Sequence, residues 1–424
     1  MRSLVTLALL SVLGIGAGGA MCAPSDDAPI GRTAASLLAF ARERNPEYAA
    51  MRSEADAARE RARAAGTLAD PKFRMELRDI TRSGDRSPTL SPSGVGSTRY
   101  LLSQDLPWFG KRDLQREIAE LDAESASGKA RGSWSDVAAR IKALHAQRHY
   151  LYGNTRLTQE LLDLGLRLEK VAQARYASGL AAQQDVIRAQ VEQTDLRSEL
   201  VRLESESRQL DLRVNALLAR PATAELAAAS EAPPLPPAAR LDYGELAERV
   251  RVLNPLLFSE EARVRAAEKS RALAYRNRYP DFTVGFGPIQ YQNSVKEWEV
   301  MIELNIPLQQ TARRAQERES EAMLAAARAR HEAAANQVLA ELAENLAGIE
   351  AARRIEALAA GTRLPQAELS FRSALAGYET GRVDFVTLLE AQRQVRQARQ
   401  SQIKARSEAQ LRLAEVERLL GEDL

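Results

Sequence analysis

The chain is written twice. Asn45-Pro46 recurs as Asn254-Pro255, and Pro71 with Phe73 recurs as Pro280 with Phe282, both separated by 209 residues, so the stretch between aligns without a gap. Further along, Pro107 recurs as Pro307, Tyr176-x-x-Gly179 as Tyr378-x-x-Gly381, and Ala189-Gln190 as Ala391-Gln392. A repeat this long is a whole architectural unit used twice, not a solenoid period of about 20–50 residues. Each copy sets two short strands between long helix-forming stretches. Neither copy has enough strands to close a barrel, so the pattern already implies assembly.

The strands are legible from alternation. Phe73-Arg74-Met75-Glu76-Leu77-Arg78 switches between apolar and charged residues, and a second run, Arg99 to Leu106, puts Tyr100, Leu102 and Leu106 on one side. In the second copy Phe282, Val284 and Phe286 alternate with Thr283, Gly285 and Gly287. Trp298, Val300, Ile302, Leu304 and Ile306 alternate with Glu297, Glu299, Met301, Glu303 and Asn305. A water-soluble sheet would pack one face on a core. Here the flanking sequence is charged helix, which leaves lipid as the natural cover. Strands of about ten residues suit a tilted membrane crossing.

The rest reads as helix. Aromatic residues are only 5% of the chain, and Ala, Arg, Glu, Leu and Gln dominate, as in long helices rather than a thick mixed core. Basic and acidic residues nearly cancel (59 against 57), so there is no bulk electrostatic case for nucleic acid. The pattern predicts a first repeat over 33–220, with a helix from Thr33 to about Thr67 bent or broken at Pro46, strands at 72–80 and 98–106 around an exposed Ser83–Ser97 loop, a long helix over 111–176 and a return helix over 182–218. At 1.5 Å per residue the long helix spans about 100 Å, which requires coiled-coil neighbours. A Pro-rich connector, 221–240, leads to a second repeat over 241–422. Its strands are expected at 281–289 and 296–306, its long helix over 311–378 with a break near 361–365 at Gly361 and Pro365, and its return helix over 383–420.

Residues 1–23 have the form of an export signal: Arg2, an apolar Leu4–Leu13 run, then small residues. No later stretch approaches eighteen apolar residues, so spanning helices are not expected. Cys22 is the only cysteine and forms no intramolecular disulfide. It is either the lipid-bearing first residue of the mature chain or a thiol of no consequence; Met21 before it makes a poor lipoprotein cleavage site.

Hydrocarbon tolerates no unpaired backbone, so four strands per chain must be closed by other chains. Three copies give twelve strands, an even number within the range of outer-membrane barrels; two would give eight, with an interior filled by side chains. The trimer leaves a water-filled lumen for Glu297, Glu299 and Glu303, and for Arg74, Glu76 and Arg78 if they point inward. The expected fold is therefore mainly α with a small β part: two tandem repeats of helix–strand–strand–long helix–turn–helix, trimerised into a 12-stranded outer-membrane β-barrel continued by an α-helical barrel, which the resemblance given next would place in the periplasm.

This plan resembles the TolC-like outer-membrane efflux factors over nearly the whole mature chain. Leu106-Pro107-Trp108-Phe109-Gly110-Lys111-Arg112 looks like the strand-to-helix junction of members serving heavy-metal pumps, and Leu364-Pro365-Gln366-Ala367-Glu368, Tyr378-Glu379-Thr380-Gly381 and Leu388-Leu389-Glu390-Ala391-Gln392 are similar to that branch. The resemblance implies a passive exit duct in the outer membrane of a Gram-negative bacterium, with a large periplasmic part. It also implies a periplasmic adaptor (membrane fusion) protein and an inner-membrane RND-type pump as partners. The turns holding Tyr176, Gly179 and Leu180, and Tyr378, Gly381 and Arg382, would meet the adaptor, or else simply build the turns. The family's acidic entrance rings fall on Thr387 and Glu390, of which only Glu390 is acidic; nearby Asp384 compensates on this reading, and Asp185 holds the matching place in the first repeat. As cargo, heavy-metal cations lead over drugs and other small molecules. A structural envelope coiled coil tethered through Cys22 is the rival from another class.

Other signals are set aside. His145 and His149 lie one helical turn apart, a metal-binding spacing, but without a third ligand they read as two solvent-facing histidines; His331 is alone. Gly14-Ile15-Gly16-Ala17-Gly18-Gly19 matches a dinucleotide pattern by letter but has no preceding strand. No nucleophile–base arrangement or phosphate loop appears. No catalytic activity, cofactor or resident metal is expected.

Overall fold

The computed structural model describes residues 30–81 and 88–424; the signal over 1–23 and Cys22 lie outside them. The first copy comprises α1 (Ala34–Arg44), α2 (Pro46–Ala65), β1 (Lys72–Arg78), β2 (Ser97–Leu106), α3 (Lys111–Ala177) and α4 (Gln183–Leu217). The second comprises α5 (Tyr243–Leu253), α6 (Pro255–Arg276), β3 (Asp281–Tyr291), β4 (Ser294–Asn305), α7 (Gln310–Leu358), a π-turn (Ala359–Arg363), α8 (Leu364–Glu379) and α9 (Phe385–Leu420).

The repeated Asn-Pro does the same work in both copies. Asn45 ends α1 and caps α2: its Oδ1 accepts from Tyr48 N–H at 2.9 Å, and Pro46 takes the first helical position, where no donor is needed. Of the bend or break expected at Pro46, the structure shows a break, built as a cap between two helices. Asn254 caps α6 in the same way, accepting from Leu257 N–H at 3.0 Å. Both amides also donate to the end of a return helix, Asn45 to Leu217 O and Asn254 to Leu419 O, each at 2.8 Å. Each copy therefore locks its upper helix to the end of its lower one.

Among the described residues four strands form one antiparallel sheet in the order β1-β2-β3-β4, with the outer edges of β1 and β4 unpaired there. Register sorts the side chains by face. Phe73, Leu102, Phe286 and Val300 lie in one row, each more than half exposed (54–67%). Trp298 stacks on Phe286 on the same face, ring centroids 5.0 Å apart. The opposite face carries Arg74, Leu101, Gly287 and Glu299 in one row and Glu76, Arg99, Ile289 and Glu297 in the next. There Arg99 bridges Glu76 and Glu299, and Asp105 bridges Lys72 and Thr283, with Glu303 opposite Thr283. Gly287 is required by crowding, because a Cβ there would collide with the Tyr100 carbonyl.

Below the sheet the helices make two layers. Nearest the strands the order is α2, α3, α6, α7; beyond the middle of the molecule it is α4, α3, α9 and then α7 with α8. Small residues let the upper helices approach, as where Ala58, Ala62 and Ala123 form one cluster. Larger residues fill the lower layer, with Leu157, Leu161, Leu162 and Leu196 between α3 and α4. At the waist the connector is held by side chains: Gln410 donates to Pro233 O at 2.6 Å, Arg353 to Pro236 O, and Leu235 packs against the cluster of Leu246, Leu342 and Val416.

The interruption expected near 361–365 takes the form of the π-turn between α7 and α8, in which Leu364 N–H reaches Ala359 O, five residues back. One expectation is corrected here. His145 does not face solvent, being 1% exposed. Its Nε2 lies 3.2 Å from Arg32 O, while His149 Nδ1 lies 2.9 Å from Ala229 O. Between them Arg148 donates to Gly31 O and Ala227 O and pairs with Asp211 at 2.7 Å. The histidines thus help Arg148 clamp the N-terminal arm and the connector to α3. The helical period made them look exposed because neither segment that covers them is itself helical.

Candidate entrance at the helical turns

Both helical hairpins end in the same backbone device. Gly179 and Gly381 adopt left-handed φ of 72° and 77°, the conformation that costs glycine least. In the first turn Leu180 N–H donates to Arg175 O and Gly179 N–H to Tyr176 O; in the second, Arg382 N–H donates to Gly377 O and Gly381 N–H to Tyr378 O. A side chain at Gly377 would strike Val383, so glycine there lets the second turn fold tightly.

The turns differ in what their tyrosines do. Tyr176 is 48% exposed, with Gly179, Leu180 and Arg382 also on the surface. Tyr378 is 2% exposed and packs against Phe385 at 5.2 Å, so it offers no free docking surface in this chain. Its hydroxyl lies 3.4 Å from Asp185 Oδ2, and burial first, then the Asp185 charge, push its phenol up to about 12. Arg175 joins the two turns: it lies 4.9 Å over the Tyr378 ring, donates to Glu379 O at 2.6 Å and to Leu180 O at 3.0 Å.

Higher up, the buried Glu192 on α4 accepts from Arg393 at 2.9 Å and faces Arg396 at 3.7 Å, both on α9. Asp384 caps α9, its Oδ1 accepting from Thr387 N–H at 2.9 Å, and the Thr387 hydrogen bonds hold its carboxyl below the usual range. Thr387 and Glu390 are exposed on the first turns of α9, and the Glu390 charge bears on Arg393. The structure therefore gathers Asp185, Tyr378, Asp384, Thr387 and Glu390 at one end of the molecule, and Glu297, Glu299 and Glu303 on the polar face of the sheet at the other. Sequence reasoning missed Arg175, Glu192 and Arg393. Nothing distinguishes them among so many helical arginines and glutamates except Arg175 standing next to a repeated tyrosine.

This arrangement ties hairpins together through ion pairs and one buried phenol. Among the described residues no group of three His, Cys, Asp or Glu could hold a metal ion, and no helix is long and apolar enough to cross a membrane. At the waist, Lys142 takes both nearby carboxylates, Glu417 and Asp423, leaving the two histidines without an acidic co-ligand.

The family model described as "Outer membrane efflux protein" matches residues 37–220 and 246–422. The cobalt-zinc-cadmium resistance protein CzcC of Cupriavidus metallidurans is 25% identical over 397 residues, 92% of this chain and 90% of that protein. Among solved structures, the outer membrane protein VceC of Vibrio cholerae superposes with a TM-score of 0.77 at 17% identity, covering 92% of this chain and 96% of the other. The transmembrane channel protein CusC also gives 0.77, at 16% identity and 93% coverage of both chains.

Proposed function

This chain belongs to the outer membrane efflux protein family, and from that premise we propose that three copies close into one barrel and form a passive, gated exit duct. The observation that carries the reading is the sheet. Among the described residues it exposes one continuous apolar face and two unpaired edges, β1 and β4, on a single chain. Hydrocarbon satisfies the face, and only neighbouring strands satisfy the edges. The helices agree, since each layer is four helices wide and open at its ends, with α2 and α7 above and α4 and α8 below. Exposed apolar residues line the lower ends: Ile187, Val191 and Val201 on α4, Leu358 at the end of α7 and Leu369 on α8. A neighbour's α4 laid against α8 covers that lower seam.

The polar face of each sheet then lines the lumen with Glu297, Glu299 and Glu303, and the far turns form the periplasmic entrance. Asp185, Asp384, Thr387 and Glu390 constrict it and favour cations. Tyr176, Gly179, Leu180 and Arg382 stand free to meet a periplasmic adaptor, which couples the duct to an inner-membrane RND-type pump. Heavy-metal cations are the cargo favoured by the acidic lumen and by the cobalt, zinc and cadmium in the relative's name. The protein performs no chemistry; its energy comes from the pump.

Two measurements test this. The detergent-purified protein should run as a heat-sensitive trimer and conduct in planar bilayers; a monomer without conductance sinks the duct. A deletion strain should lose tolerance to cobalt, zinc or cadmium. Unchanged metal tolerance with new sensitivity to organic compounds would move the cargo to small molecules.

A further inference from the structure

The two helical hairpins share one plan but not one interior. Tyr176 and Tyr378, Gly179 and Gly381, and Gln190 and Gln392 are each 202 residues apart, which aligns the hairpins without a gap. In the first, Glu169 on α3 is held by two amides of α4: Gln190 donates to it at 2.9 Å and Gln193 at 2.6 Å. The same three positions in the second hairpin are Phe371, Gln392 and Val395. Two polar members of the network are thus replaced by apolar ones, and the remaining glutamine is orphaned. Gln392 is 3% exposed, and its Oε1 has no hydrogen-bond partner among the described residues. Buried polar groups are nearly always paired, so an orphan of this kind points to something outside the chain.

Phe371, Gln392 and Val395 together line a cleft of about 500 Å³ between α3, α8 and α9. We propose that this cleft binds a small, uncharged aromatic compound with an amide-like edge, a hydrogen-bond donor beside an acceptor. The inference goes beyond the duct reading and does not depend on it, because all three helices belong to one chain.

Each part of that description comes from a wall of the cleft. Its volume lies within the range of small-molecule pockets, about 300–1,000 Å³. Leu161 and Leu164 of α3 join Phe371 and Val395 in an apolar lining on which a flat ring packs. That lining is firm, since the cleft sits between two packed clusters. Leu161 belongs to the one with Leu157, Leu162 and Leu196, toward the sheet. Leu164 and Phe371 pack on the one with Leu168, Ala172, Tyr378 and Phe385, toward the turns. A site already in shape loses little freedom when a ligand enters. The carboxamide of Gln392 presents an acceptor and donors side by side, so the edge that matches it is another amide, and its orphaned oxygen calls for an N–H. Charges on the lining balance: Arg167, Arg372 and Arg399 stand against Glu160, Asp163 and Glu368. Arg399 spans Glu160 at 3.0 Å and Glu368 at 3.4 Å, which leaves its charge already answered within the chain. A ligand with a net charge would upset that balance; an uncharged one does not.

The test is isothermal titration of the full-length protein, purified in detergent, with benzamide and with N,N-dimethylbenzamide, which keeps the ring and the carbonyl but has no N–H. Benzamide should bind saturably, one molecule per chain. The dimethyl compound should bind roughly ten-fold weaker or worse, because it leaves the buried oxygen unpaired. Gln392→Leu removes that oxygen at similar volume and should erase the difference between the two compounds. Phe371→Glu with Val395→Gln writes into the second hairpin the network that the first one already folds with, and should abolish binding. Equal binding of the two compounds, uptake that never saturates (water or detergent alone serving the cleft), or benzamide binding that survives Phe371→Glu/Val395→Gln overturns the proposal. Should Gln392→Leu fail to fold, the other two comparisons decide the matter. None of these results bears on conductance or trimer formation, so the cleft and the duct stand or fall separately.

Discussion

Replacing Val300 by arginine is the sharpest single test of where the membrane lies. Val300 sits mid-strand in β4 (Ser294–Asn305), 67% exposed, in line with Phe286, Leu102 and Phe73. If hydrocarbon covers that row, arginine at mid-depth costs about 2–4 kcal/mol per chain, so roughly 6–12 kcal/mol across a trimer. If water covers it, the change is an ordinary surface substitution within about 0.5 kcal/mol. Glu303→Arg is the control, three residues away on the opposite face, where Asp105 lies along the same row. It should be tolerated. The assay is folding into phospholipid vesicles, read as the urea midpoint and the yield of heat-sensitive trimer. Val300→Arg should abolish or strongly lower both while Glu303→Arg leaves them nearly unchanged. Equal behaviour of the two variants would falsify lipid exposure of that face.

Other changes probe the rest of the molecule. Asn254→Ala removes a helix cap, about 1 kcal/mol, and leaves the Leu419 carbonyl without its donor, about 1–3 kcal/mol more, so urea unfolding should show a loss of about 2–4 kcal/mol. His145 has its pKa lowered from 6.5, mainly by burial and further by the Arg148 and His149 charges. The unfolded chain therefore binds the extra proton first, and stability should fall as pH drops below about 6.5 toward the lowered value. Burial disfavours the Lys142 charge, but the paired carboxylates of Glu417 and Asp423 outweigh it and raise the pKa, so Lys142 keeps its charge through that range. His145→Gln should flatten the acid limb in unfolding curves run from pH 7.5 to 5, and an unchanged limb would show that the loss arises elsewhere. At the turns, Leu180→Asp should weaken capture by the adaptor in cross-linking while leaving trimer yield intact; loss of the trimer instead would assign Leu180 to assembly.

The family, the doubling and the strand faces were readable because each depends on local order along the chain. Alternation with period two sorts a strand's side chains whatever surrounds it. Two asparagine–proline pairs 209 residues apart announce two equivalent helix starts. Gly179 and Gly381 mark helix ends because a left-handed residue is needed wherever such a turn is made.

What needed the folded molecule was every partnership between distant segments. The sequence treats Tyr176 and Tyr378 alike, yet only Tyr378 is enclosed, because Phe385 and Asp185 happen to face it. His145 and His149 carry no sign that the chain's own arm and connector will lie across them. Gly361 and Pro365 foretell an irregular helix but not its form. Whether the chain breaks or opens into a wider turn depends on the helices beside it, which hold the segment in line while the backbone alone would let it bend.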